Sequence, residues 1–334
     1  MPEYFAPEVI EQFEARTGLE VEQVYYESLG QMMGMLQSHP DRYDLVTTDD
    51  VSIAELSNVK IISEIDHEKI PNFENLDERY LDQHFDPKNQ FSIPYVWGTT
   101  LIAYRTDRID PELSWNLLWD PELKGKIAMM DERADIYAAA LLTAGHPLNS
   151  QTPAHLEEAT DLLVQQTKEL DPLYTDLYGG RDKMLAGEIW AMITYSCDAA
   201  MIAVEDENIG YFIPEEGAPL WLDSFAILRH APNRDAAHAF IDFLCEPEVA
   251  AENANYVWYI PPVKGVEPFL NEDLVADLAL NPSDEIVDKC AFHASPTPAR
   301  ERIVNRGMKT ILDGVRAQGI ANVEHSTESS SEQD

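Results

Sequence analysis

The stretch KIAMMDERADIYAAALLTA, residues 126–144, reads as one strand-to-helix unit. Ile127 to Met130 form an unbroken apolar run, as a strand covered on both faces requires. Ala and Leu then dominate 136–144, where helix propensity is high. Asp131, Glu132 and Asp135 stand between the two. A strand running into acids and then into a helix is the building unit of an α/β protein. The same alternation returns outward in both directions. Strands are predicted over 19–25, 43–46, 101–104, 126–130, 189–195 and 222–228. A first helix has Pro7 near its start, Val9, Ile10 and Phe13 on one face, and Gly18 as its stop. Further helices are predicted over 32–37, 51–56, 136–144, 153–168, 199–205, 235–244, 248–253 and 300–315. The run 43–46 has the apolar character of a buried parallel strand.

Three strands share a pattern at their carboxyl ends. The strand at 43–46 leads to Asp49 and Asp50, that at 126–130 to Asp131, Glu132 and Asp135, and that at 189–195 to Asp198. Ligands of open α/β sheets bind outside the carboxyl ends of strands, so these acids stand where a ligand would. Asp is also the common N-cap of a following helix, and each acid taken alone fits that structural role. Glu132 is the least cap-like of them. Aromatic residues accompany the carboxylates. Trp221 and Asp223 alternate along a strand and share one face, Tyr195 precedes Asp198, Tyr4 opens the first helix, and Trp97 and Tyr259 lie near Pro- or Gly-marked bends. Aromatic faces attract cations, and a carboxylate adds a charge-assisted hydrogen bond to a protonated amine. Such a set suits an organic cation with an apolar middle, although Trp and Tyr singly are as often core.

The composition bounds the alternatives. The chain has 334 residues, with 61 Asp and Glu against 23 Lys and Arg, a formal charge of -38. A polyanion is repelled by nucleic acid and by anionic membranes, so no nucleic-acid partner is expected. The acids are spread along the chain and Lys is scarce, as on a surface suited to concentrated salt, which suggests a halophilic setting. At about 1 M salt the screening length falls to roughly 3 Å, so specificity would rest on short contacts. Cys197, Cys245 and Cys290, odd in number and widely spaced, read as small buried residues rather than a disulfide framework or metal pair. The dinucleotide, P-loop, nucleophile-elbow and zinc-helix motifs are absent from the sequence. The nine His are scattered, with His39, His67, His84 and His155 reading as surface or core-edge residues. No metal site and no cofactor is expected. The Tyr25-Tyr26 pair reads as packing more readily than as a ferric-ion site. Residues 326–334, STESSSEQD, are predicted disordered.

At the aromatic and acidic positions the chain resembles the spermidine/putrescine-binding proteins, solute receptors of polyamine ABC transporters. The resemblance runs from Glu3 to about Val315. It is most specific in FDPKNQFSIPYVWG (85–98), SWNLLW (114–119), WLDS (221–224), and FIDFL with PEVA (240–250). It implies a two-lobed, type II periplasmic-binding-protein-like α/β fold with the ligand cleft between lobes. Lobe 1 would span 1–100 and return over 222–285, lobe 2 would span 101–221, and a C-terminal helical segment would cover 286–325 before the tail at 326–334. It further implies a non-catalytic, monomeric, extracytoplasmic receptor that closes on a polyamine and delivers it to a membrane permease. Ligand-binding positions carried over by the resemblance are Tyr4, Asp49, Asp50, Glu132, Asp135, Tyr195, Trp221, Asp223 and Tyr259. His293 is a weak candidate for a C-terminal polar contact. The sequence departs from the pattern at Asp49-Asp50-Val51, where a hydroxyl becomes Asp49 and an aromatic wall becomes Val51. Met1-Pro2-Glu3-Tyr4 begins inside a family motif with no signal peptide ahead of it, so a first strand and an export signal are expected upstream. The alternatives are a same-fold receptor for ferric ion or another organic cation, and an enzyme using Cys197 as nucleophile.

Overall fold

The computed structural model describes residues 4–26 and 28–317. The chain divides into two compact units, Met1–Gly98 with Leu220–Ser283, and Thr99–Pro219 with Asp284–Asp334. The sequence-predicted segment 326–334 and the end of 286–325 lie outside the described residues.

The first unit opens with α1 (Pro7–Thr17), which starts on Pro7 and stops at Gly18, whose φ of 72° only glycine adopts without strain. Val9, Ile10 and Phe13 are its buried face. Residues 19–25, expected as a strand, form no regular element and join no ladder among the described residues. The Val21 N–H donates to the Glu14 carboxylate at 2.8 Å, so one backbone donor there is satisfied by a side chain instead of a neighbouring strand. Next come α2 (Leu29–Ser38), capped by Ser28, β1 (Leu45–Thr48) and α3 (Asp50–Asn58). β1 pairs antiparallel with a strand much later in the chain, Leu45 opposite Ile227, not parallel as its apolar run suggested. Its inward Val46 joins Met32, Leu36, Ile53 and Leu56 in one core cluster.

The family-specific loop at 85–92 is organised by one buried carboxylate. Asp86 accepts hydrogen bonds from the Phe91 N–H, the Ser92 N–H and the Ser92 hydroxyl. It is 2% exposed, so that stretch records a folding requirement. β2 (Ile93–Arg105) follows and carries the chain through Gly98 and Thr99 into the second unit.

The second unit holds β3 (Ile127–Met130), α4 (Arg133–Thr143), α5 (Pro153–Leu170), β4 (Leu173–Thr175), α6 (Leu177–Leu185), β5 (Ala191–Tyr195), α7 (Ser196–Glu205) and β6 (Ile209–Phe212). Here β3 pairs parallel with β4 and β5, and β2 pairs antiparallel with β5 and β6. The unit at 126–144 is therefore a βα element of a mixed sheet. The carboxyl ends of β3, β4 and β5 share one edge with the Thr100 region of β2.

β7 (Pro219–Ile227) returns to the first unit and is the partner of β1. α8 (Arg234–Leu244), α9 (Pro247–Val257) and the short α10 (Glu272–Ala276) complete that unit. The buried Asn253 on α9 accepts the Ala6 N–H and donates to the Tyr95 hydroxyl, tying α9 to the approach to α1. The chain then re-enters the second unit with α11 (Asp284–Val287), β8 (Ala291–Phe292) and α12 (Pro298–Ala317). Close approach of α12 needs Gly307, where a Cβ would collide with the Tyr137 hydroxyl.

Candidate functional site

In the first unit, four of the expected residues meet at one edge of the sheet. β7 buries Leu220, Leu222 and Ser224 and leaves Trp221 and Asp223 partly open on the other face, as strand alternation dictates. The Trp221 and Tyr259 rings pack edge-to-face with centroids 5.4 Å apart. Tyr259 in turn lies 6.1 Å from Tyr4, and Tyr4 lies 5.5 Å from Tyr95. Tyr4 precedes α1 by three residues and is not part of its first turn. Tyr95, donating to the Tyr4 carbonyl and receiving Asn253, is the buried floor of this aromatic set. Burial holds its phenol far above the ordinary value.

Asp223 accepts no hydrogen bond and no ion pair from any described residue. Surrounding protein that solvates its charge poorly pushes its carboxyl up to about 7. Asp49 and Asp50 approach the same edge, because Thr48 is the register partner of Ser224. Asp49 performs the structural role that its position allows, since its carboxylate caps α3 by accepting the Ser52 N–H at 2.7 Å. Asp50 is 6% exposed and accepts the Val51 N–H, while Val51 is 64% exposed.

In the second unit, the parallel strands β3 and β5 deliver their acids to a common edge. Glu132 holds the N-cap position of α4 but makes no side-chain cap bond, and it is exposed. Asp135, in the first turn of α4, is only 6% exposed. Its Oδ1 receives the Thr100 hydroxyl at 3.0 Å and the His293 Nε2–H at 2.9 Å. Thr100 is also the register partner of Tyr195, so Asp135 and Tyr195 are bridged by one residue of β2. Asp198, in the first turn of α7, is pushed up to about 6 by burial, against the Cys197 thiol and Arg181, which favour its charge.

Each expected residue thus lies at one of two strand edges, in separate units. Thr100 was not foreseen; the polar pair Thr99-Thr100 interrupting an apolar strand is the signal that marks it. His293 joins Asp135 at a sequence separation of 158, which no local pattern reveals. Trp97 is core, 7% exposed, with its ring tilted against Tyr80 at 4.9 Å between centroids. The Tyr26 hydroxyl donates to the Thr47 carbonyl and that of Tyr25 to Gln23. Cys197 and Cys245 are buried as expected, whereas Cys290 is only half-buried. The Cys197 thiol donates to the Asp198 carboxylate at 3.7 Å, an acidic setting unlike the electropositive one that activates a nucleophilic thiolate. Burial pushes Cys245 up to about 12. Among the described residues no group of His, Cys, Asp and Glu could hold a metal ion, and no helix is long and apolar enough to cross a membrane.

The spermidine/putrescine-binding periplasmic protein of Salmonella typhimurium is 31% identical over 290 residues, covering 86% of this chain and 83% of the relative. Its Escherichia coli counterpart is 32% identical over 288 residues, with 85% and 82% covered. Among solved structures, the spermidine/putrescine ABC transporter substrate-binding protein PotD of Streptococcus pneumoniae superposes with a TM-score of 0.88 at 28% identity, covering 94% of this chain and 97% of that one. Residues 8–282 match the family model described as bacterial extracellular solute-binding protein, and the chain belongs to that family.

Proposed function

We propose that this protein is an extracytoplasmic, monomeric receptor for a linear polyamine of the putrescine and spermidine class, which hands its ligand to the permease of an ABC transporter. It has no nucleic-acid partner and carries out no reaction. Asp223 takes one ammonium group, and Glu132 with Asp135 takes another. Trp221, Tyr259, Tyr4 and Tyr195 line the methylenes, each of which contributes about 0.8 kcal/mol when buried.

One observation carries the reading. Asp223 is a carboxylate in poorly solvating surroundings, with no cation among the described residues, set beside Trp221 on the same strand face. Leaving a charge in that state is costly unless a ligand completes it. An ammonium supplies the missing charge and hydrogen-bond donors, and the indole face supplies cation–π attraction. The names of the relatives point to the same ligand class.

Isothermal calorimetry of the folded chain with putrescine and spermidine, at low and at high salt, tests this. Saturable one-to-one binding of at least one is expected. Binding of neither, by protein shown to be folded, overturns the polyamine reading.

A further inference from the structure

Asp135 is held in an unusual way for a carboxylate that is 6% exposed. A Lys or Arg partner would be the common solution, and it would cancel the charge. Here the donors are a hydroxyl and an imidazole, Thr100 at 3.0 Å and His293 at 2.9 Å, and both land on Oδ1. No described residue donates to Oδ2. Two donors on one oxygen restrain rotation of the carboxylate and leave the second oxygen with its lone pairs unused.

The imidazole is itself braced. Asn149, in the loop between α4 and α5, donates its amide to the Phe292 carbonyl at 2.8 Å and accepts the Ala294 N–H at 2.7 Å. One side chain thereby pins the backbone on both sides of residue 293. The preceding Ala291 N–H is anchored on the Ala218 carbonyl at 3.2 Å. Nothing in the mechanism of capture as proposed above uses Asn149, yet it is placed to fix where the His293 ring can reach.

We infer that His293, braced by Asn149, is a positioning residue: it orients Asp135 so that Oδ2 meets the ligand ammonium, and acts on affinity through Asp135 alone. The inference rests on the polyamine reading of Asp135. Preorganised acceptors bind more tightly because no orientation is lost on binding.

The test is a double-mutant cycle read by putrescine calorimetry, with folding checked by circular dichroism. His293→Phe removes the donor and is expected to weaken binding about tenfold, the scale of one charge-assisted hydrogen bond. His293→Gln, whose amide can occupy the Nε2 position, should restore affinity to within about threefold of the parent. On an Asp135→Asn background His293→Phe should have no further effect, whereas a general packing role for residue 293 would reduce binding there as well. Asn149→Ala keeps the imidazole while freeing its backbone, and it carries the same cycle if Phe at 293 does not fold. Unchanged affinity in His293→Phe, or a full loss that persists on Asp135→Asn, overturns the inference alone. A folded parent that binds neither putrescine nor spermidine overturns the polyamine reading and this inference with it.

Discussion

The two units each present a carboxylate at a strand edge, and they hold it in opposite ways. In the second unit, donors from β2 and from the segment after β8 satisfy one oxygen of Asp135. In the first, Asp223 receives nothing from the described residues, and its carboxyl rises to about 7. One acid is prepared by hydrogen bonds, the other by their absence. A carboxylate held by two donors has its orientation fixed with or without ligand. A carboxylate denied them stays half protonated near neutral pH until a cation arrives.

The sharpest way to break the contrast is Asp223→Asn. Ligand affinity should fall about a hundredfold or more, since an ammonium buried without its counter-charge is severely penalised. The unliganded protein should nonetheless melt at a higher temperature at pH 8, because the variant no longer carries a poorly solvated charge. A lower melting temperature would show that Asp223 is already well satisfied.

The pH dependence sharpens the same point. Between the unfolded carboxyl range near 4 and the folded value of about 7, the native state binds more protons than the unfolded one at Asp223. This group therefore stabilises the unliganded fold at pH 5 relative to pH 8, and the contribution is lost as pH rises through about 7. Binding runs the other way, because the ammonium needs the ionised form. Affinity should drop about tenfold per unit below pH 7 and level off above it, and Asp223→Asn should flatten that slope. Calorimetry from pH 5 to 8.5 distinguishes these outcomes.

Smaller effects are expected from the walls and the cap. Trp221→Ala should weaken binding about tenfold through lost cation–π and methylene contact, with Trp221→Phe recovering part of it. Asp49→Ala should cost about 1 kcal/mol of stability by uncapping α3, with affinity changed less than about threefold, and Asp49→Asn should keep the cap. Thermal melts alongside titrations separate a cap from a ligand contact at that position.

The readable features of the sequence were local. The strand, acids and helix at 126–144 are written in consecutive residues and were found as expected. What could not be read was set by distant partners. Leu45 pairs with Ile227, so the direction of β1 depended on a strand about 180 residues away. The helix α6 was missed because Gly179 and Gly180 sit inside it against helix propensity. A Cβ at Gly180 would come within 2.8 Å of the Met192 terminal methyl, so that side chain would have to shift. The candidate acids were legible as strand-end residues, but whether each one caps a helix or waits for a partner was not. Asp49 and Asp135 both follow the end of a strand in sequence and differ in which donors reach them in three dimensions.

Val51 follows the capping Asp49 and the buried Asp50 at the same strand edge as Asp223, with 64% of its surface exposed. It supports no core, so replacing it costs the fold little. On the proposed polyamine reading, substitutions at this position can alter the accepted ligand length without compensating changes elsewhere. Trp221 and Asn253, tied into packing and hydrogen bonds, have no such latitude, and ligand range in this lineage is expected to drift first where the chain is least committed to standing up.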